Sequence, residues 1–190
     1  MKVLIRADSS SEVGTGHIMR DLVLAEQYPD DDIIFAVQNL SGNINHKIEE
    51  QGYHIEILKS NSLEELIAVI EQYEVDMVIV DHYGIDHHFE KRLKEHTGVQ
   101  LMVLDDTYEK HECDILLNHN IYADELRYKG LVPGNCEIRC GSEFTLLREE
   151  FVKEKYNNLK RGKIVGISDV FIAMGGADYS NINIPVLNVL

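Results

Sequence analysis

The chain has 190 residues, 44% of them apolar, and carries 18 basic against 33 acidic residues, for a net charge of −15 and a pI near 4.9. This length suits one large domain, or one domain and part of a second. The acidic balance predicts no binding to nucleic acid or to a membrane surface, and no apolar stretch approaches the roughly 18 residues of a membrane span. Three cysteines cannot all pair, which favours a reducing, cytoplasmic location. Composition gives no indication of an oligomeric state.

Short apolar strands alternate with amphipathic helices along most of the chain. The pattern predicts strands at residues 2–6, 33–37, 54–58, 77–80, 100–104 and 114–117. It predicts helices at residues 17–27, 44–51, 63–73 and 86–96. Nearly all-apolar strands that alternate with helices are typical of a parallel sheet covered on both faces. The sequence therefore predicts an α/β domain.

The character of the sequence changes after Phe151. Residues 153–163 hold five basic residues and few apolar ones, which is typical of a linker or a solvated helix end. A strand is predicted at residues 170–173, but one strand and part of a helix cannot bury a core. We expect an N-terminal domain over residues 1–152, a linker over 153–168 and the start of a truncated second domain over 169–190.

A loop with two glycines joins the first strand to the first helix. It reads ADSSSEVGTGH over residues 7–17. Gly14 and Gly16 would let a ligand approach the backbone at a helix N-terminus, which attracts anions. The dinucleotide-binding fingerprint is not matched, since Met19 stands at its third glycine position. A tight turn without a ligand is the alternative for this loop.

His17 stands at the start of the predicted first helix. The positive end of a helix disfavours the imidazolium ion, which favours a neutral ring able to accept a proton. A surface histidine without a catalytic role is the alternative. A surface position also predicts that replacing His17 changes stability by no more than about 1 kcal/mol.

Acidic and polar residues follow several predicted strands. They are Asp8, the segment Asp81-His82-Tyr83-Gly84, and Asp105-Asp106. In a parallel sheet these residues converge on one edge, although turns and helix caps use the same residue types.

A metal site is a further alternative at that edge. The candidate ligands are Asp81, His82, Asp86, His87 and His88. Their spacing matches no standard metal-binding pattern, so we predict no metal there. Cys136 and Cys140 are a weak zinc signal without a second pair, and packing in the protein interior is the favoured role.

The segment RADSSSEVGTGHIMRD at residues 6–21 resembles the N-terminal signature of the UDP-2,4-diacetamido-2,4,6-trideoxy-β-L-altropyranose hydrolases of pseudaminic acid biosynthesis. Further segments follow in the order of that family: VDHYG at 80–84, CDILLNHN at 113–120, RCGSEFTLLREE at 139–150 and MGGAD at 174–178. Similar short loops occur in the related lipid II-forming N-acetylglucosaminyltransferase, so the glycine loop alone indicates the superfamily rather than the substrate.

The resemblance implies a Rossmann-like parallel sheet, the N-terminal half of a two-domain glycosyltransferase-B-like fold whose other half holds most of the nucleotide. The implied reaction is hydrolysis of a UDP-sugar at the anomeric carbon with inversion, with His17 as catalytic base and no metal or cofactor. The residues implied to bind substrate are Gly14, Gly16, Asp81, His82, Tyr83, Gly175 and Gly176.

Two other functions remain open at this point. A glycosyltransferase of the same fold would move the sugar from a UDP-sugar donor to an acceptor instead of water. A metal-dependent hydrolase would use the Asp/His cluster at the sheet edge. Because members of the family are longer than this chain, we expect little independent activity from residues 1–190.

Overall fold

The computed structural model describes residues 1–158, 166, 170–172 and 181–189. The chain divides into two compact units, Met1–Leu146 and Leu147–Leu190. The first unit contains a sheet built from β1 (Lys2–Ala7), β2 (Asp32–Gln38), β3 (His54–Leu58), β4 (Met77–Asp81), β5 (Gln100–Leu104), β6 (Ile115–Asn118) and β7 (Glu137–Cys140).

Within the described residues, these seven strands form one parallel sheet in the order β3-β2-β1-β4-β5-β6-β7. The strand order reverses between β1 and β4, which are neighbours in the sheet although two strands separate them in sequence. In sheets of this kind ligands bind at the carboxyl edge where the order reverses. The predicted α/β fold class, a Rossmann-like parallel sheet, is confirmed.

Four helices cover the sheet: α1 (Gly16–Ala25), α2 (His46–Glu50), α3 (Leu63–Tyr73) and α4 (His87–Thr97). Every predicted strand and helix of this unit forms, with bounds within two residues of those predicted. The start of α3 is capped by Ser62, whose hydroxyl accepts the N–H of Glu65 at 3.2 Å. Such a side-chain cap satisfies a backbone donor that has no partner inside the helix.

The core lies on both faces of the sheet. Leu4 of β1 faces one cluster of buried side chains together with Leu66 of α3 and Leu93 of α4. Its neighbour Ile5 faces the other cluster with Ile18 of α1. This alternation follows from the two-residue repeat of a strand, and burial on both sides explains why the central strands are almost wholly apolar.

The edge strand β7 has no counterpart among the predicted elements. Its sequence, Glu-Ile-Arg-Cys, is short and half polar, and its residues are exposed or only partly buried. An edge strand is solvated along one side, so it lacks the continuous apolar pattern that identifies a buried parallel strand.

The described residues of the second unit include two helices, α5 (Glu149–Asn158) and α6 (Asn183–Leu187). The predicted linker over 153–168 begins inside α5. The predicted strand at 170–173 is not formed at Val170–Ile172, and its last residue lies outside the described residues. Among the described helices of the chain, none is long and apolar enough to cross a lipid bilayer.

Candidate active site

The glycine loop lies between β1 and α1 and is held by backbone hydrogen bonds. Ser10 and Gly14 exchange two of them, at 3.2 and 2.9 Å. Gly14 has a φ of 87°, in the left-handed region that favours glycine. A Cβ atom at Gly14 or Gly16 would meet no heavy atom of the described residues within 4 Å. The turn therefore requires glycine at residue 14, and the space beside both glycines is open.

The first turn of α1 has neither a side-chain cap at Thr15 nor an acidic residue. The backbone N–H groups at a helix start carry a partial positive charge and point along the axis, toward the carboxyl edge of the sheet in this case. This turn is suited to an anionic group such as a phosphate.

His17 is buried, with 6% of its surface exposed, which corrects the predicted surface position. Its Nδ1 lies 2.8 Å from the backbone carbonyl oxygen of Asp81 at the end of β4. A carbonyl oxygen only accepts, so Nδ1 carries a hydrogen and donates it. In the neutral ring Nε2 then holds the lone pair. The hydrogen bond thus fixes Nε2 as the nitrogen that can accept a proton in the neutral ring, which the position at a helix start could not indicate.

Asp81 is buried beneath this histidine, and Arg20 neutralises its carboxylate. The Nε of Arg20 donates to Asp81 Oδ2 at 2.6 Å, and Nη2 donates to Oδ1. Burial opposes the charge on Arg20, but the hydrogen bonds and charge of Asp81 outweigh it and raise the pKa of the guanidinium. Asp81 is 1% exposed; its carboxylate binds Arg20 and its backbone carbonyl accepts from His17.

The far end of Arg20 contacts Asp106, which the sequence places after a predicted strand, and His119, to which the sequence analysis gave no role. Its Nη1 lies 3.3 Å from Asp106 Oδ2 and 3.3 Å from His119 Nε2. Because guanidinium groups only donate, His119 accepts through Nε2. Burial and the charge of Arg20 lower the pKa of His119. The signal for Arg20 was its spacing of three residues from His17, which places both on one helix face.

Tyr83 is the exposed member of the group, at 65%. Its ring packs edge-on against His17, with centroids 4.8 Å apart. Its hydroxyl donates to Asp106 at 3.1 Å. A cavity of about 480 Å³ opens beside Tyr83 between the loops that follow β4 and β5. The exposed ring therefore separates the imidazole from a space large enough for a small ligand.

His82 belongs to a second network, centred on the buried Asp8. The N–H of Gly84 donates to His82 Nδ1 at 2.9 Å, so Nε2 carries the hydrogen and donates to Asp8 Oδ2 at 3.1 Å. Arg6 donates to the same oxygen at 2.7 Å. Burial opposes ionisation of Asp8, but the bonds from His82 and Arg6 hold its pKa well below the usual range. Both ring nitrogens of His82 are occupied, so it shapes the loop and is not free to act as a base.

The structure does not bring together the metal ligands that the sequence offered as an alternative. Within the described ranges, no three His, Cys, Asp or Glu side chains are arranged to hold a metal ion. Asp86 caps α4 by accepting the N–H groups of His88 and Phe89 at 3.1 and 2.9 Å. His87 lies 3.6 Å from Glu112 instead. Helix capping thus accounts for Asp86, and the other acid of this cluster, Asp81, binds Arg20.

The predicted cysteine packing fits the structure, in which Cys136 Sγ lies 3.6 Å from that of the buried Cys113. Cys136 and Cys140 both pack against the core. The remaining site residues predicted from the sequence, Gly175 and Gly176, lie outside the described residues.

A parallel sheet, a glycine loop and an oriented histidine at the point where the strand order reverses define a Rossmann-like α/β protein with a candidate ligand site at its carboxyl edge. No protein-family model matches the chain. Over all 190 residues it is 45% identical to the UDP-2,4-diacetamido-2,4,6-trideoxy-β-L-altropyranose hydrolase of Campylobacter jejuni. The chain belongs to the family of that hydrolase and spans 66% of its length.

Two more distant proteins also align with almost the whole chain. An uncharacterized protein of Methanocaldococcus jannaschii is 30% identical over 196 aligned residues, and the chain spans 40% of it. The spore coat polysaccharide biosynthesis protein SpsG of Bacillus subtilis is 25% identical over 194 residues, and the chain spans 54% of it. A crystal structure of Acinetobacter baumannii MurG aligns with 57% of this chain and 35% of its own, with a TM-score of 0.44 and 11% identity.

Proposed function

We propose that this chain supplies the catalytic base of a hydrolase that converts UDP-2,4-diacetamido-2,4,6-trideoxy-β-L-altropyranose to UDP and the free diacetamido sugar. The observation that carries the proposal is the hydrogen bond from His17 Nδ1 to the Asp81 carbonyl, at 2.8 Å, which leaves Nε2 as proton acceptor. Family membership along the whole chain supports the choice of substrate.

In the proposed reaction the oxygen of a water molecule forms a bond to the anomeric carbon of the sugar. The bond between that carbon and the diphosphate oxygen breaks, and UDP leaves with the electron pair. The proton of the attacking water passes to Nε2 of His17. Attack on the face opposite UDP inverts the anomeric carbon. The protein mainly has to hold the water and the base in line, because UDP is already a good leaving group.

The glycine loop supports binding of the leaving diphosphate. The uncapped first turn of α1 offers N–H donors, and the space beside Gly14 and Gly16 admits a phosphate close to the backbone. We assign Gly175 and Gly176 the matching role in a second, nucleotide-binding domain that begins near residue 169. Residues 1–152 would then be the N-terminal half of a glycosyltransferase-B-like fold.

The segment after β4 supports the sugar side of the site. Tyr83 is exposed against His17 and is the member suited to touch the sugar. Asp81 and His82 act through their neighbours, since Asp81 is bound by Arg20 and His82 by Asp8.

The cysteines are free thiols, which supports the cytoplasmic location expected from the sequence.

The test is an assay for UDP release by the intact protein in water labelled with heavy oxygen, without any acceptor sugar. We expect the label at the anomeric hydroxyl of the free sugar and none in UDP. Release that requires an acceptor would instead assign the chain to the glycosyltransferases. Label in UDP would place bond cleavage at phosphorus and exclude the proposed attack at carbon.

The same assay in excess chelator tests the role given to His17. We expect the rate to be unchanged, because a histidine generates the nucleophile without a metal-bound water. Loss of activity that one divalent ion restores would contradict this and support the metal-dependent alternative.

A further inference from the structure

Asp21 is a buried carboxyl group that the proposed reaction does not use. It lies on α1 one turn after His17, and none of its surface is exposed. Neither of its side-chain oxygens receives a hydrogen bond from any residue that the structure describes. An ionised carboxylate is costly to bury without a donor, so this position calls for an explanation.

The charged groups that face Asp21 are the Asp81 carboxylate from β4 and the Arg20 guanidinium from its own helix. Arg20 directs Nε and Nη2 to Asp81 and Nη1 to Asp106. The nearby His17 directs Nδ1 to the Asp81 carbonyl. These donors are therefore already engaged elsewhere.

Asp81 is the ionised member of the carboxyl pair, because it binds Arg20 through two oxygens. A second negative charge beside it would face repulsion as well as burial. Both causes, burial first and the charge of Asp81 second, raise the pKa of Asp21 well above its ordinary value. Two adjacent carboxyl groups become compatible when they share one proton.

We propose that Asp21 is a positioning residue that carries a proton at neutral pH and donates it to the Asp81 carboxylate. Asp81 is then held by Arg20 on one side and by Asp21 on the other, which fixes the carbonyl that orients His17. The effect on catalysis, but not the protonation itself, rests on the proposed role of His17 as base.

Infrared spectroscopy of the folded protein tests the protonation without reference to activity. At neutral pH the wild-type protein should show the carbonyl stretch of a protonated carboxylic acid, and Asp21→Asn should remove it. Asp30→Asn, the same change at an exposed position, should leave the band in place. A spectrum in which Asp21→Asn removes only a carboxylate band would overturn the proposal.

Kinetics test the positioning role. Asp21→Asn keeps the shape and an N–H donor, so kcat should stay within about threefold of wild type. Asp21→Leu removes the donor at similar size, and kcat should fall roughly ten- to a hundredfold with UDP affinity unchanged. Equal losses in both variants, or full activity in Asp21→Leu, would contradict the positioning role.

If no UDP-sugar is hydrolysed by the wild type, the proposed function fails while the infrared result still decides the protonation of Asp21. If the leucine variant does not fold, the Asn variant and the wild-type spectrum still decide.

Discussion

Two buried clusters of this sheet each pair a histidine with carboxylates, and their histidines are held differently. In the first cluster, His17 Nδ1 donates to the backbone carbonyl of Asp81 at 2.8 Å and lies 3.4 Å from the Asp81 carboxylate, which Arg20 also binds. In the second, His111 lies between two carboxylates. Its Nδ1 is 2.7 Å from Glu90 Oε1, and its Nε2 is 3.9 Å from Asp105 Oδ1, an ion pair too long for a hydrogen bond.

The two clusters differ in the group that supplies the positive charge beside the carboxylates. Burial lowers the pKa of His111, but Asp105 and Glu90 outweigh it and raise that pKa to about 9. A ring that stays charged at neutral pH is a structural cation and cannot serve as a base. In the His17 cluster the cation is Arg20, which binds the Asp81 carboxylate through two nitrogens.

The largest expected effect tests the catalytic side of this comparison. His17→Asn removes the proton acceptor, so kcat should fall by about 10²- to 10⁴-fold while UDP affinity changes little. The measurement is kcat and UDP binding side by side for the variant and the wild type. His96→Asn, an exposed histidine near the end of α4, is the matched control and should keep full activity. A His17 variant with more than about a tenth of the wild-type kcat would exclude His17 as the essential base.

The next effect concerns Arg20, the cation of the His17 cluster, which binds the Asp81 carboxylate. Arg20→Met leaves the Asp81 carboxylate buried without its cation, which should lower the free energy of unfolding by about 3–5 kcal/mol. Removing the carboxylate as well, in Arg20→Met/Asp81→Asn, should recover part of that loss. Urea denaturation measures both variants. A double variant no more stable than the single one would show that Arg20 does not act by neutralising Asp81.

The His111 cluster should make stability depend on pH. The folded pKa of about 9 exceeds the ordinary value of 6.5. The stabilisation is therefore complete below about pH 6.5 and is lost as pH rises toward 9, a change of about 3 kcal/mol. Urea denaturation at about pH 6 and about pH 10 measures it. His111→Gln should lack this dependence, and a wild-type protein equally stable at both pH values would refute the charged state of His111.

The smallest effect tests the loop after β4, in which both ring nitrogens of His82 are hydrogen-bonded. A Cβ atom at Gly84 would lie 2.8 Å from His82 Cε1, in a ring held at both nitrogens. Gly84→Ala should therefore lower the free energy of unfolding by about 1–3 kcal/mol. At Gly134 no described heavy atom lies within 4 Å of the new carbon, so Gly134→Ala is the control for thermal denaturation. Equal melting temperatures for the two variants would show that the His82 ring can move aside without lowering the stability of the fold.

Much of this architecture could be predicted from the sequence, because buried parallel strands are nearly all apolar and helices repeat every 3.6 residues. The edge strand β7 was not predicted, since a strand solvated on one side lacks a continuous apolar pattern. At the site, the rule that strand ends converge predicted that Asp8, the segment after β4 and Asp106 lie at one edge, and the structure joins His82 to Asp8 and Tyr83 to Asp106. It could not show that His17 Nδ1 would lie nearer to the backbone carbonyl of Asp81, at 2.8 Å, than to its carboxylate, at 3.4 Å, since that depends on how α1 is rotated against β4. For the same reason the sequence predicted a surface histidine where the structure buries one.

The position of β4 beside β1 has a consequence for the order of events in folding. The contact between His17 and Asp81 joins residues 64 positions apart, and that between Arg20 and His119 joins residues 99 positions apart. Contacts so distant in the chain form only after the intervening segments have closed, which makes parallel sheets slow to fold. Local helices can form early without assembling this cluster. During refolding, the hydrogen bond of His17 to Asp81 can therefore form only after β1 and β4 have paired. Its recovery would follow formation of the central sheet more closely than helix content does.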